Sequence, residues 1–232
     1  MAVSKKLLVV GGTGFLGSHL VRYLSKNYKV TSLSKGNTIN FNKELNVEYA
    51  KCDLENTLEA KKFFFQNKFN YIINSGGYVN HNNFLIGGDK VFENHLKIIL
   101  NILKNTIDNK PDKLIQIGSS DEYGYDSSNP KEDTRENPLS PYSMGKLAAT
   151  QVCMMFAKEY NYPLNVIRPF LIYGPGQNKN RIIPFIINSC LKNKEFNLGN
   201  KDTTRDFLYI TDFIEFVVEI MDKDTVNGEI FN

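Results

Sequence analysis

Cysteine is scarce. Cys52, Cys153 and Cys190 stand far apart, an odd number at a spacing that fits neither a disulfide framework nor a zinc site. They read as reduced thiols, so a cytoplasmic protein without a bound metal is expected. Long apolar runs are missing as well. The stretch after Lys5 and Lys6 lasts only from Leu7 to Val10 before two glycines. A membrane helix needs about 18 apolar residues or more, so neither a span nor a signal peptide is read here. No sign of charge dominates: 28 Lys and Arg face 25 Asp and Glu, leaving +3. That balance lacks the concentrated basic field of a nucleic-acid binder. Repeats and low-complexity tracts are also lacking. What is present suffices for a large core without staples: 232 residues, 41% of them hydrophobic.

Short apolar runs alternate with stretches of helical period, the pattern of repeated βαβ units around a parallel sheet buried on both faces. Strands are expected at Leu7 to Val10, Val30 to Leu33, Val47 to Cys52, Tyr71 to Asn74, Leu114 to Gly118 and Leu164 to Arg168. Helices are expected at Phe15 to Lys26, Leu58 to Gln66, Lys90 to Thr106 and Tyr142 to Glu159. The stretch from Tyr123 to Ser140 has no periodicity and reads as a long loop, a form often kept for function.

Gly11-Gly12-Thr13-Gly14-Phe15-Leu16-Gly17 ends the first strand and opens the first helix. In that context glycines allow a tight turn and bring backbone close to a pyrophosphate, whose charge meets the free N–H groups and positive end of the helix. A dinucleotide is therefore expected on Gly11, Gly14, Phe15, Leu16 and Gly17. An acid about 20 residues on would accept from the ribose 2′-hydroxyl of NAD, yet no Asp or Glu occurs between Gly17 and Glu44. The second strand ends instead in Ser34 and Lys35, a hydroxyl and a cation suited to a 2′-phosphate. NADP is favoured, with NAD the alternative. Asp53, with Leu54 beside it, ends the third strand; it is placed either to meet the adenine edge or to cap the next helix.

Ser140 and Pro141 make an N-cap and first helical residue, so Tyr142 and Lys146 fall four apart on one helix face. A phenol titrates near 10 when unperturbed; an ammonium, a helix N-terminus and an oxidised nicotinamide all favour its anion. It then serves as an acid/base at neutral pH. The preceding strand ends in Ser119 and Ser120, at the carboxyl edge where open α/β sheets bind ligands.

With the glycine loop, the strand-end serines and Tyr142-x-x-x-Lys146 in this order, the chain resembles the extended short-chain dehydrogenase/reductase family of nucleotide-sugar epimerases, dehydratases and ketoreductases. Asn94, the run from Arg168 to Pro175, and Arg205-Asp206-Phe207-Leu208-Tyr209-Ile210-x-Asp212 match further family segments. The resemblance implies a doubly wound Rossmann-type sheet over residues 1–165, with 166–232 contributing to a small, incomplete substrate lobe; relatives continue past the strand-like Gly228 to Asn232. It implies Tyr142 as acid/base, Lys146 on the nicotinamide ribose, and Ser120 or Ser119 on the reacting oxygen. Arg205 is implied as a clamp for the nucleotide diphosphate, while Tyr78, Asn80 and His81 border the sugar pocket. Asp121 and Glu122 resemble the carboxyl pair of sugar 4,6-dehydratases, but Tyr123-Gly124 follows one residue early, and a solvated or substrate-orienting pair is the favoured reading, with Ser119, Asp121 and Glu122 on the substrate. Leu171 stands where many relatives have asparagine, and Asn74-Ser75-Gly76-Gly77 replaces His-Leu-Ala-Ala. The missing acid favours net reduction, hence a 4-ketoreductase of a nucleotide-diphosphate sugar. A 4-epimerase or 4,6-dehydratase is the alternative, and a non-catalytic dinucleotide sensor is the reading of another class. Relatives dimerise through the two long helices, so a homodimer is expected, although Ile98, Ile99, Ile102, Met154 and Met155 are equally suited to a core.

Overall fold

The computed structural model describes residues 5–36, 46–124, 129–197, 199, 204–223 and 225–232. Residues 125–128, within the expected long loop, lie outside them. The six expected strands form as β1 (Lys6–Val10), β2 (Lys29–Ser34), β3 (Val47–Lys51), β4 (Tyr71–Asn74), β5 (Lys113–Ile117) and β6 (Leu164–Ile167). The expected helices form as α1 (Phe15–Leu24), α2 (Thr57–Gln66), α3 (Gly88–Thr106) and α4 (Pro141–Tyr160). Besides three short 3-10 turns at Phe84–Ile86, Ile107–Asn109 and Ser120–Tyr123, the described residues form β7 (Leu171–Tyr173), α5 (Ile182–Leu191), β8 (Phe207–Tyr209), α6 (Ile210–Asp222) and β9 (Glu229–Phe231).

Seven strands pair in the order β3-β2-β1-β4-β5-β6-β9, every pairing parallel, and β7 pairs with β8 in a separate two-stranded ribbon. Successive strand residues point to opposite faces, so Leu114 of β5 joins the core layer under α2, α3 and α4 while Ile115 joins the layer under α1 and α6. On one side Ala60, Ile98, Ile99, Ala149 and Cys153 close over the sheet. On the other, Leu20, Leu24, Phe213, Val217 and Ile220 do the same. A sheet covered on both faces is why its strands read as continuous apolar runs rather than alternating ones.

The chain runs outward from β1 through β2 to β3, then crosses back to place β4 on the other side of β1. Strand order reverses between β1 and β4, which opens a crevice at their carboxyl ends. The glycine turn after β1 and the Ser75–Gly77 segment after β4 border that crevice.

Candidate active site

A cleft of about 660 Å³ lies along the carboxyl edge of the sheet. One wall is the turn from β1 into α1. Gly11 sits at φ +74, a backbone region L side chains rarely adopt, and its N–H donates to the Leu33 carbonyl at 2.9 Å. A Cβ on Gly17 would lie 2.1 Å from the Gly11 carbonyl oxygen, so only glycine lets helix and turn pack this closely. Helix α1 opens at Gly14 with no side-chain cap, which leaves its first N–H groups and positive end directed to an anion. Gly11, Gly14, Phe15, Leu16 and Gly17 all line the cleft. The uncapped helix end and the glycine cradle fit a dinucleotide pyrophosphate.

At the β2 end of this wall, Ser34 turns its hydroxyl onto the Gly36 carbonyl at 3.2 Å. Lys35 does not stand free: its ammonium pairs with Asp53 at 2.8 Å and Glu55 at 2.9 Å, and both carboxylates hold its proton more firmly than usual. Parallel pairing of β2 with β3 brings these acids across from the neighbouring strand end. Asp53 also accepts from the Glu55 N–H at 3.0 Å. It does not cap α2, because Asn56 accepts from Leu58 and Glu59 N–H there. Leu54 is buried, and its carbonyl accepts from Asn101 at 2.8 Å.

The opposite wall is built on β5 and α4. Ser140 caps α4 and Pro141 starts it, as expected, which sets Tyr142 in the first turn and Lys146 one turn on. Lys146 is buried and donates to the Ile117 carbonyl at 2.8 Å; burial pulls its ammonium down to about 8, against the pull of Glu122. Tyr142 is buried too, and burial pushes its phenol up to about 12. The Ser119 side chain and the Arg181 charge act the other way, while Asp121 and Glu122 add to the rise. The protein alone therefore makes the phenol harder to ionise, so its anion depends on positive charge brought by a ligand.

Ser119 and Ser120 both line the cleft, and Ser119 is the one whose side chain acts on the phenol's ionisation. Ser120 uses its N–H on the Pro169 carbonyl at 3.1 Å. Asp121 is exposed in the cleft, whereas Glu122 is fully buried, outside the cleft lining, and paired with Arg168 at 2.8 Å. Tyr78 and Arg205 also line the cleft; Arg205 is exposed and donates to the Thr204 carbonyl at 2.7 Å.

The family model described as NAD dependent epimerase/dehydratase family matches residues 7–232. This chain belongs to that family. It is 29% identical to a dTDP-D-glucose 4,6-dehydratase of Dictyostelium discoideum over 98% of its own length and 58% of that protein's. Among solved structures, it is 27% identical to a UDP-glucuronic acid 4-epimerase from Bacillus cereus in complex with UDP-glucuronic acid and NAD. That alignment has a TM-score of 0.84 and covers 97% of this chain and 76% of that one. A UDP-N-acetylglucosamine 4-epimerase from Methanobrevibacter ruminantium M1 shares the fold at TM-score 0.86 and 24% identity, over 98% of this chain and 75% of that one. The chain thus spans little more than half of the first of these relatives and about three quarters of the other two.

In this member of the epimerase/dehydratase family, three further residues line the cleft that the sequence does not single out, His95, Arg181 and Gln177. His95 follows Asn94 on α3, edge-on to the Tyr142 ring at 5.3 Å. Burial and the nearby Lys146 push its imidazole down to about 3, so it stays neutral and bonds the Tyr78 carbonyl at 3.2 Å. A lone histidine on an otherwise core-facing helix is the signal that was available. Arg181, at the start of α5, lines the cleft, as does Gln177. Asn94 itself is buried, with a carboxamide oxygen lacking any partner among the described residues. His81 lies edge-on to Tyr142 at 5.5 Å.

Proposed function

We propose that this chain is the catalytic core of an NAD-dependent enzyme that inverts the 4-position of a nucleotide-diphosphate hexose. The observation that carries the reading is one cleft whose walls are an uncapped helix N-terminus and the Ser119, Tyr142 and Lys146 set. Gly14, Phe15, Leu16 and Gly17 hold the dinucleotide pyrophosphate on the N-terminus of α1. Tyr142 takes the proton of the C4 hydroxyl and returns it, Ser119 donates a hydrogen bond to the same oxygen, and Lys146 contributes positive charge beneath both. When bound, the nicotinamide supplies the hydride acceptor and donor. Arg205 and Arg181 hold the substrate diphosphate, and Tyr78 and Asp121 border the sugar.

The net reduction favoured from sequence rested on a free cation at the end of β2. Lys35, Asp53 and Glu55 together carry one net negative charge, which repels a 2′-phosphate and supports NAD over NADP. An enzyme that regenerates its own NAD within each cycle fits this better than a 4-ketoreductase. Dehydration needs a pair of carboxyls over the sugar; Glu122 is held by Arg168, which leaves Asp121 as the one carboxyl among the described residues that line the cleft. A non-catalytic sensor has no use for the serine, tyrosine and lysine set. Three unpaired cysteines support a reducing compartment, the cytoplasm. We also propose a homodimer through α3 and α4; Ile98, Ile99 and Ile102 serve the chain's own core, so the contact falls to exposed α4 residues such as Met144 and Met155. No described helix is long and apolar enough to cross a membrane.

The test supplies UDP-glucose, UDP-glucuronic acid and dTDP-glucose with NAD and follows products by NMR and cofactor by absorbance. The expected result is a C4 epimer without net reduction of cofactor. Consumption of NADPH with a 4-keto sugar, or a 4-keto-6-deoxy product, overturns the epimerase assignment.

A further inference from the structure

The reading of Ser119, Tyr142 and Lys146 as the reacting set leaves a buried acid beneath it unexplained. Glu122 has no exposed surface. One of its oxygens accepts the Ser119 N–H at 2.9 Å, and the other pairs with Arg168 Nε at 2.8 Å. The Ser119 hydroxyl in turn accepts from the Asp121 N–H, closing a capping box that fixes the serine turn.

Arg168, also fully buried, spends its remaining donors on the Tyr123 hydroxyl at 2.8 Å and Glu136 at 2.6 Å. Glu136 reaches Gln151 on α4, and Tyr123 reaches Asn232 after β9. A single guanidinium thereby ties the serine turn to the loop before α4, to α4 itself and to the sheet edge. With Lys146 counted, two buried cations balance Glu122 and Glu136, and burying charge is tolerable only when it is so balanced.

We propose that Glu122 is a positioning residue for proton transfer: clamped by Arg168, its carboxylate aims Ser119 at the Tyr142 phenol and supplies the anion that balances Lys146. This rests on the reacting set named above. Lys146 is faced by Glu122 from the serine turn and by neutral His95 from α3. Tyr142 is faced by Ser119, Asp121 and Glu122 from that turn, by Arg181 from the start of α5, and by the ring edges of His81 and His95. Cys153 on α4 also feels the Glu122 charge.

Glu122→Gln keeps the shape and removes the charge. Tyr142 ionisation is read as the tyrosinate absorbance of each protein minus that of its Tyr142→Phe counterpart, titrated with and without NAD. Losing the anion makes the phenol easier to ionise, so the midpoint moves to lower pH, by roughly one unit. Glu136→Gln, which removes the other Arg168 carboxylate but touches neither Ser119 nor the phenol, leaves the midpoint in place. Glu122→Asp keeps the charge but draws back from the Ser119 N–H; it holds the midpoint and loses about tenfold in turnover of whichever hexose the wild type converts. An unmoved midpoint in Glu122→Gln, an equal shift in Glu136→Gln, or wild-type turnover in Glu122→Asp overturns the proposal. Should Glu122→Gln not fold, the other two variants still decide. The titration needs no hexose, so failure to turn over any sugar counts against the function and not against Glu122.

Discussion

Tyr142 and Lys146 are each buried at a cost, and each cost can be measured. Tyr142→Phe keeps the ring in place and removes the proton carrier. Turnover is expected to fall by about 10²–10⁴-fold, with NAD affinity by calorimetry unchanged; retained turnover would remove Tyr142 from the chemistry. Lys146 titrates at about 8 in the folded chain against 10.5 ordinarily. Between those values the unfolded chain binds more protons, so this group's contribution to stability rises with pH across that window, and below it the buried ammonium is a fixed cost. Lys146→Met relieves a cost on the order of 3 kcal/mol, while the Ile117 carbonyl keeps the Gln116 amide as a donor at 3.1 Å. Its melting midpoint at pH 7 is therefore expected at or above the parent's while activity disappears; a clear drop in the midpoint would refute the assignment. His95 works in the acid range. Its folded value of about 3 lies below the ordinary 6.5, so stability declines as pH falls between them, and His95→Asn should flatten urea-denaturation stability across that interval.

At the scale of elements, the β1 to α1 turn separates packing from binding. A Cβ on Gly14 meets only the Gly11 carbonyl oxygen, at 3.3 Å, a tight contact that a backbone shift of a few tenths of an ångström relieves, and its φ of −75 suits alanine. Gly14→Ala should fold normally yet bind NAD at least tenfold more weakly, because the methyl occupies the approach to the helix N-terminus. Gly17→Ala should instead lose stability by a few kcal/mol, since its Cβ meets fixed backbone. Equal NAD affinity in Gly14→Ala and the parent would show that the pyrophosphate lies elsewhere. The turn was legible in the sequence because glycine spacing and strand-to-helix context lie within a few residues of each other. Helix α6 was not among the expected helices, although Ile210, Phe213, Ile214, Val217, Ile220 and Met221 recur at helical spacing and are all buried. Strands β7 and β8 were not legible, because three residues carry no period and their pairing joins positions far apart in the chain.

Across the whole molecule, the proposed function places cofactor choice where β2 and β3 end together. Replacing both carboxylates beside Lys35, as Asp53→Asn with Glu55→Gln, should shift the NADP to NAD preference by about tenfold towards NADP, equivalent to about 1.4 kcal/mol. An unchanged ratio in equilibrium binding would mean the ribose lies away from this edge. The sequence pointed to NADP because no acid follows the glycine loop along β2; Asp53 and Glu55 follow the next strand, and parallel pairing brings them to Lys35.

Several features of this protein are local, and the sequence alone determined them: the order of strands and helices as far as β6, the glycine cradle, the Ser140 cap that sets Tyr142 and Lys146 on one face. Each depends on periodicity, conformational freedom or capping within a few residues. Tertiary structure decided which serine acts on the phenol, that Lys35 is already neutralised, and that Glu122 lies beneath the cleft instead of in it. Those outcomes depend on distances between residues remote in the chain, and on the burial that makes an ion pair such as Glu122 with Arg168 the tolerable state for both charges.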